Sequence, residues 1–197
     1  MQGRKVMPEL PEVETVRRGL HHLITGYRIA DAVDLHPRAL KAESIAPLSS
    51  LNGSRITGTG RRGKFLWITL NRPVVLVAHL GMSGQFLIQE KDRPPAKHIR
   101  AQFELKRSLR TTDLVFNDQR TFGWLSVEEL IDGVPTSASH IAYDPFDPHF
   151  DYQATVQRLL SAISASRLLS SIKRSCQELE TSTPMNPCGV PKCIQNQ

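Results

Sequence analysis

Ile99-Arg100-Ala101-Gln102-Phe103-Glu104-Leu105 is the stretch whose reading decides the fold. Apolar side chains stand at every second position, with Arg, Gln and Glu between them. A period of two puts one set on a buried face and the other in water, which is a half-buried strand. Downstream, Leu114 to Phe116 and Phe122 to Val127 continue the pattern. Upstream, Gln85 to Gln89 follows the turn Gly81-Met82-Ser83-Gly84, and Val74 to His79 is a short apolar run consistent with a buried strand. Further back, Lys64 to Leu70 (KFLWITL) and Arg55 to Thr59 read as strands joined by Gly60-Arg61-Arg62-Gly63, and Tyr27 to Leu35 as another, broken by Pro37. Ser44 to Asn52, closed by Gly53, reads as a short helix. Many short strands at close spacing predict an α+β chain that is mostly β, built as a two-sheet sandwich.

Two helices flank these strands. In the stretch from Met7 to Leu20, Pro11 suits a first helical position and Glu12 and Glu14 lie where the helix dipole favours negative charge. Val13, Val16, Leu20 and Ile24 share one face, and Gly26 is a stop. Helical spacing returns after Asp151, a residue suited to an N-cap, through Tyr152, Val156, Leu159, Leu160 and Ile163.

The chain has 197 residues, 40% hydrophobic and 22% charged, a balance typical of a soluble globular protein. A formal net charge of +6 and a pI of about 9.5 fit a polyanionic partner, though many ordinary proteins are as basic. No apolar run reaches the roughly 18 residues that span a bilayer, and MQGRKV is too short and polar for a signal peptide, so the expected location is the cytoplasm. The three cysteines, Cys176, Cys188 and Cys193, all lie late in the chain. With no fourth cysteine, and no histidine beyond His149, they do not make a zinc site, and no cofactor is expected.

The chemistry-bearing stretch is Met7-Pro8-Glu9-Leu10-Pro11-Glu12-Val13-Glu14-Thr15-Val16-Arg17-Arg18-Gly19-Leu20. If translation starts at Met7 and that residue is removed, Pro8 becomes a rigid, nucleophilic secondary amine with the Glu9 carboxylate beside it. Amine and carboxylate together can attack a sugar C1′ and move protons. PELPEVETVRRGL resembles the N-terminus of the formamidopyrimidine-DNA glycosylases, and the resemblance extends from Met7 to about Ser164.

The resemblance implies an enzyme of base-excision repair, with double-stranded damaged DNA as its partner, no membrane, and a monomeric state. It would excise oxidised purines such as 8-oxoguanine and formamidopyrimidines, with AP lyase activity through a proline iminium and β,δ-elimination. Pro8 would be the nucleophile, Glu9 the acid/base and Glu12 a residue that orders the site. Lys64, after Gly60-Arg61-Arg62-Gly63, would contact phosphate and assist catalysis. Met82, Arg120 and Phe122 match the three residues that fill the gap left by an extruded base, and Lys97 and His98 a basic dipeptide on phosphate. In Asn117-Asp118-Gln119-Arg120-Thr121-Phe122-Gly123 the chain carries Gln119 and Thr121 where the family commonly has Pro and Arg. The intact gap-filling trio and Leu10-Pro11 favour the purine enzyme over its oxidised-pyrimidine sister. The alternative reading is a catalytically inactive DNA-binding fragment of the same fold.

The expected organisation is a leader at 1–6, the catalytic sandwich at 7–135, a linker with the start of a helical domain at 136–164, and an unrelated tail at 165–197. The family's second domain, a helix–two-turn–helix followed by a four-cysteine zinc finger, is not recognisable in that tail. Glu180 to Gln195 (ETSTPMNPCGVPKCIQ) is what codons for a family-like GNIYADESLWGAKMHPK yield when read one base late. The tail is therefore expected to be a frameshifted, disordered product, and the 197-residue chain an impaired enzyme.

Overall fold

The computed structural model describes residues 9–90 and 97–164. They divide into a compact unit ending at Asp147 and a second beginning at Pro148. The first unit opens with helix α1 (Leu10–Ile24). Nine strands follow: β1 (Arg28–Asp34), β2 (Ile56–Arg62), β3 (Phe65–Leu70), β4 (Val74–His79), β5 (Gly84–Gln89), β6 (Ile99–Arg107), β7 (Arg110–Asp118), β8 (Trp124–Ile131) and β9 (Val134–Pro135). They form a four-stranded sheet, β1-β6-β7-β5, and a five-stranded sheet, β2-β3-β4-β8-β9, all antiparallel. This is the expected mostly-β sandwich with a helix at its side.

Alternation builds the core. Ala101, Phe103 and Leu105 of β6 and Leu114 and Phe116 of β7 meet Leu66, Ile68, Leu76, Ala78, Leu125 and Val127 of the other sheet. Val13, Leu20 and Ile24 of α1 join the same cluster, with Val16 packed at its margin. Burying a side chain such as Phe103 contributes about 1.5–3 kcal/mol. The run Val74 to His79 is apolar throughout because both its faces are covered. Leu76 and Ala78 face the sandwich, whereas Val75 and Val77 join Trp67 and Ala138 in a smaller cluster on the far side.

Several element limits differ from the expectation. Pro11 is the second helical residue rather than the first, since α1 starts at Leu10 with Glu9 as its N-cap. The helix expected over Ser44 to Asn52 is a single 3-10 turn, Leu48–Leu51, entered through extended Pro47 and left before Gly53 at φ +80°. Pro47 cannot donate within a helix and disfavours helical geometry at Ala46, so the longer helix has no start. Strand β2 runs on through Arg62, leaving only Gly63 and Lys64 as the turn. Strand β8 begins at Trp124, so Phe122 sits in the preceding loop.

In the second unit, residues 152–164 are helical. Asp151 acts as its N-cap, its Oδ1 accepting the Ala154 N–H at 2.8 Å.

Candidate functional site

At the start of α1, Glu9 has extended geometry, and the Glu12 carboxylate reaches back to accept the Glu9 N–H at 3.1 Å. The Glu9 carbonyl accepts the Val13 N–H, closing the first helical turn. Both carboxylates are exposed. Glu12 thus fixes the backbone of Glu9 as half of a capping box. Pro8, the expected nucleophile, lies outside the described residues.

One turn further, Glu14 is buried and accepts from Arg17 at 2.8 and 2.9 Å, from Arg18 at 2.7 Å and from Arg61 at 3.0 Å. The Arg17 hydrogen bonds, with those of Arg61 and Arg18, outweigh burial and hold the Glu14 carboxyl down to about 2. Arg61, its side chain only 3% exposed, also pairs bidentately with Asp144 at 2.7 and 2.8 Å. Asp144 in turn accepts the Gly63 N–H at 3.0 Å. One buried guanidinium therefore ties α1 and the segment at Asp144 to the β2–β3 hairpin that carries Lys64. Neither partner was expected from the sequence. Glu14 read as a dipole-favoured helix residue, and Asp144 lies 83 residues from Arg61.

Lys64 precedes Phe65, which stands opposite His79 in the β3–β4 register. Burial, then the nearby charge of Lys64, lowers the His79 pKa. Neutral His79 accepts the Gly81 N–H on Nδ1 at 3.2 Å, and its ring stacks on Trp124 with centroids 5.6 Å apart. Lys64 and the turn bearing Met82 consequently lie at the same end of strands β3 and β4.

The two expected gap-filling loops meet at Asp118. Its fully buried carboxylate accepts the Ser83 hydroxyl from the Met82 turn. From the other loop it accepts the N–H of Arg120 at 3.1 Å and of Gly123 at 2.7 Å. Burial would raise the Asp118 pKa, but these bonds, with one from the Thr121 backbone, lower it. The loops also touch through backbone: a Cβ on Gly81, at φ +58°, would fall 2.6 Å from the Phe122 carbonyl carbon. Thr121 itself takes φ +58°, an unusual conformation for a β-branched residue. Phe122, 59% exposed, stands out from this hydrogen-bonded base beside exposed Arg120 and half-buried Met82.

Lys97 is exposed, and the carbonyl of His98 accepts the Asp118 N–H at 2.9 Å. Met82, Lys97, His98, Arg120 and Phe122 therefore converge at one strand end, with Lys64 linked to them through His79. Glu9 and Glu12 join through α1 and the Glu14–Arg61 contact. The sequence reading missed Asp118, although an Asp at the head of a polar loop, able to accept from N–H groups just ahead of it, was the available signal. Among the described residues no group of three or more His, Cys, Asp or Glu could hold a metal ion. The three cysteines lie outside those residues. No described helix is long and apolar enough to cross a membrane.

Residues 7–125 match the formamidopyrimidine-DNA glycosylase N-terminal domain. The formamidopyrimidine-DNA glycosylase of Rhodococcus jostii (strain RHA1) is 51% identical over 160 residues, covering 77% of this chain and 53% of that protein. That of Corynebacterium glutamicum (strain R) is 44% identical over 174 residues, covering 83% of this chain and 60% of that protein. Among solved structures, a complex between the Lactococcus lactis Fpg and DNA containing an abasic site is similar with a TM-score of 0.57 and 32% identity. That match covers 62% of this chain and 44% of the other. The chain spans about half the length of the curated relatives it matches.

Proposed function

The chain belongs to the formamidopyrimidine-DNA glycosylase family, and from that premise we propose that it acts in base-excision repair, removing oxidised purines from duplex DNA and cutting the strand as an AP lyase. The observation that carries this reading is the joining of the Met82 turn to the Arg120–Phe122 loop on one carboxylate, at the strand end that also bears Lys97 and His98. A base can be extruded only at a cost of a few kcal/mol, and three side chains filling the vacated space offset it. Met82 is unbranched and adapts to an irregular gap. Phe122 is the apolar wedge between base steps, and Arg120 faces the orphaned partner base. Lys64, Lys97 and His98 contact phosphates and position the duplex without reading its sequence.

The chemistry starts at Pro8. Its amine lone pair attacks C1′, the glycosidic bond breaks, and the base departs with that bond's electron pair and takes up a proton, balanced by the one that the Pro8 nitrogen gives up. Glu9 transfers the proton that opens the sugar ring, leaving an iminium between Pro8 and C1′. The iminium acidifies the 2′ protons. Loss of one expels the 3′ phosphate, and a second elimination expels the 5′ phosphate. The amine must be free, so the active form begins at Pro8.

The test compares release of 8-oxoguanine from a duplex with cleavage at a pre-formed abasic site, for the wild type and Glu9→Gln. Loss of an acid/base residue should slow base release by roughly 10²–10⁴-fold. Abasic-site cleavage should fall far less, because an abasic sugar already equilibrates with its open aldehyde and needs no proton from Glu9 to open before the iminium forms. Equal loss on both substrates would remove Glu9 from the glycosidic step. Absence of any base release by wild-type protein beginning at Pro8 would favour the inactive DNA-binding reading.

A further inference from the structure

We propose that Asp118 is a positioning residue, whose buried carboxylate clamps the turn carrying Met82 to the loop carrying Arg120 and Phe122 so that the three enter DNA as one preassembled unit. The inference rests on the gap-filling reading of those three side chains given above.

Four features carry it. The Asp118 side chain faces no cation among the contacts described. Its partners are instead the Ser83 hydroxyl and the N–H groups of Arg120, Thr121 and Gly123. Both oxygens are engaged: Oδ1 by Ser83 and Arg120, Oδ2 by Gly123. Bonds of a carboxylate to several N–H groups are charge-assisted and stronger than neutral ones. Secondly, Ser83 serves both loops, since its oxygen also accepts the Arg120 N–H at 3.2 Å. Thirdly, Thr121 is held at φ +58° between Arg120 and Phe122, and such a conformation persists only where its surroundings over-determine it. Lastly, the clamp is anchored in the sheet. The Asp118 N–H donates to the His98 carbonyl, and the Asp118 carbonyl accepts from Arg100 Nε at 2.8 Å.

The consequence concerns when order is acquired. Separate flexible loops would have to be immobilised as the duplex opens, and each ordered side chain would subtract from affinity. Loops already joined meet the opened duplex with that ordering complete. Damaged DNA, which opens more easily, gains from the ready wedge, whereas an intact stack does not admit it. The clamp should therefore govern the preference for a gap over an intact stack, rather than affinity for DNA in general.

The experiment uses the full chain at low salt. It measures affinity for a duplex with a tetrahydrofuran abasic analogue and for the same duplex undamaged, together with amide hydrogen exchange at Arg120, Thr121 and Gly123. Ser83→Ala removes the cross-loop hydroxyl, and Asp118→Asn turns one acceptor oxygen into a donor facing N–H groups. Each should speed exchange in the loop and shrink the damaged-to-undamaged affinity ratio by about tenfold, the scale of a lost hydrogen bond to a charged group. Ser83→Thr, which keeps the hydroxyl, should restore the ratio. Lys64→Ala should weaken both duplexes alike and leave the ratio standing. If Asp118→Asn does not fold, the half-buried Ser83 position carries the test. An unchanged ratio in Ser83→Ala, with a ratio lost in Met82→Ala and Phe122→Ala, would overturn the clamp and spare the gap-filling reading. A ratio unchanged in all of these variants would overturn both.

Discussion

Glu14 shows what one buried carboxylate does for the site. Its carboxylate collects three guanidinium groups and so holds the first turns of α1 against the hairpin bearing Lys64. With its pKa at about 2 in the fold against an ordinary 4.5, it favours folding above pH 4.5, and that contribution disappears as pH falls toward 2. The shift corresponds to stability on the order of 3 kcal/mol. Glu14→Gln should therefore be destabilised by that order at pH 7, as read from urea unfolding. The gap to wild type should close as pH is lowered from 4.5 toward 2. A gap equally wide at both ends of that range would show that the ion pairs do not supply the stability. Asp144 and Asp118, whose pKa values are also lowered, act with the same sign, so all three carboxylates weaken together in acid.

At the scale of elements, the loops depend on a close approach that only glycine permits. Gly81 combines φ +58° with a backbone neighbour where a Cβ would stand. Gly81→Ala should cost roughly 1–3 kcal/mol from backbone strain alone, and should push the Met82 turn away from Phe122. Thermal melting checks the first effect, and the damaged-to-undamaged affinity ratio the second. A stable variant with normal discrimination would mean that the loops need not touch. The strands themselves were legible: the alternation of Ile99 to Leu105 and the apolar run Val74 to His79 each report a local burial pattern, and β6 and β4 form there. Asp151 as an N-cap was legible for the same reason, because capping is settled within one turn. Arg61 was not. Polar residues between two glycines imitate a turn, but Arg61 pairs with Leu66 of β3, and its guanidinium is buried between Glu14 and Asp144, both distant in sequence. Ser44 to Asn52 failed in the opposite way, its helical composition overridden by Pro47 and Gly53.

For the molecule as a whole, the residues proposed to fill the gap lay within recognisable motifs, yet their common anchorage on Asp118 depends on how the β4–β5 and β7–β8 connections meet. A net charge of +6 suits a polyanionic partner, and DNA affinity should fall steeply with salt because phosphate contacts release counterions. The central claim is chemical, that an N-terminal proline is the nucleophile. Borohydride reduction of the reaction with a duplex containing an abasic site, followed by peptide mapping of the trapped complex, tests it most directly. At low salt, with protein in excess, the account predicts a covalent adduct on Pro8 in protein that begins there, and no adduct on protein that retains residues 1–7. An adduct on Lys64 or another lysine, or equal trapping with residues 1–7 in place, would contradict it.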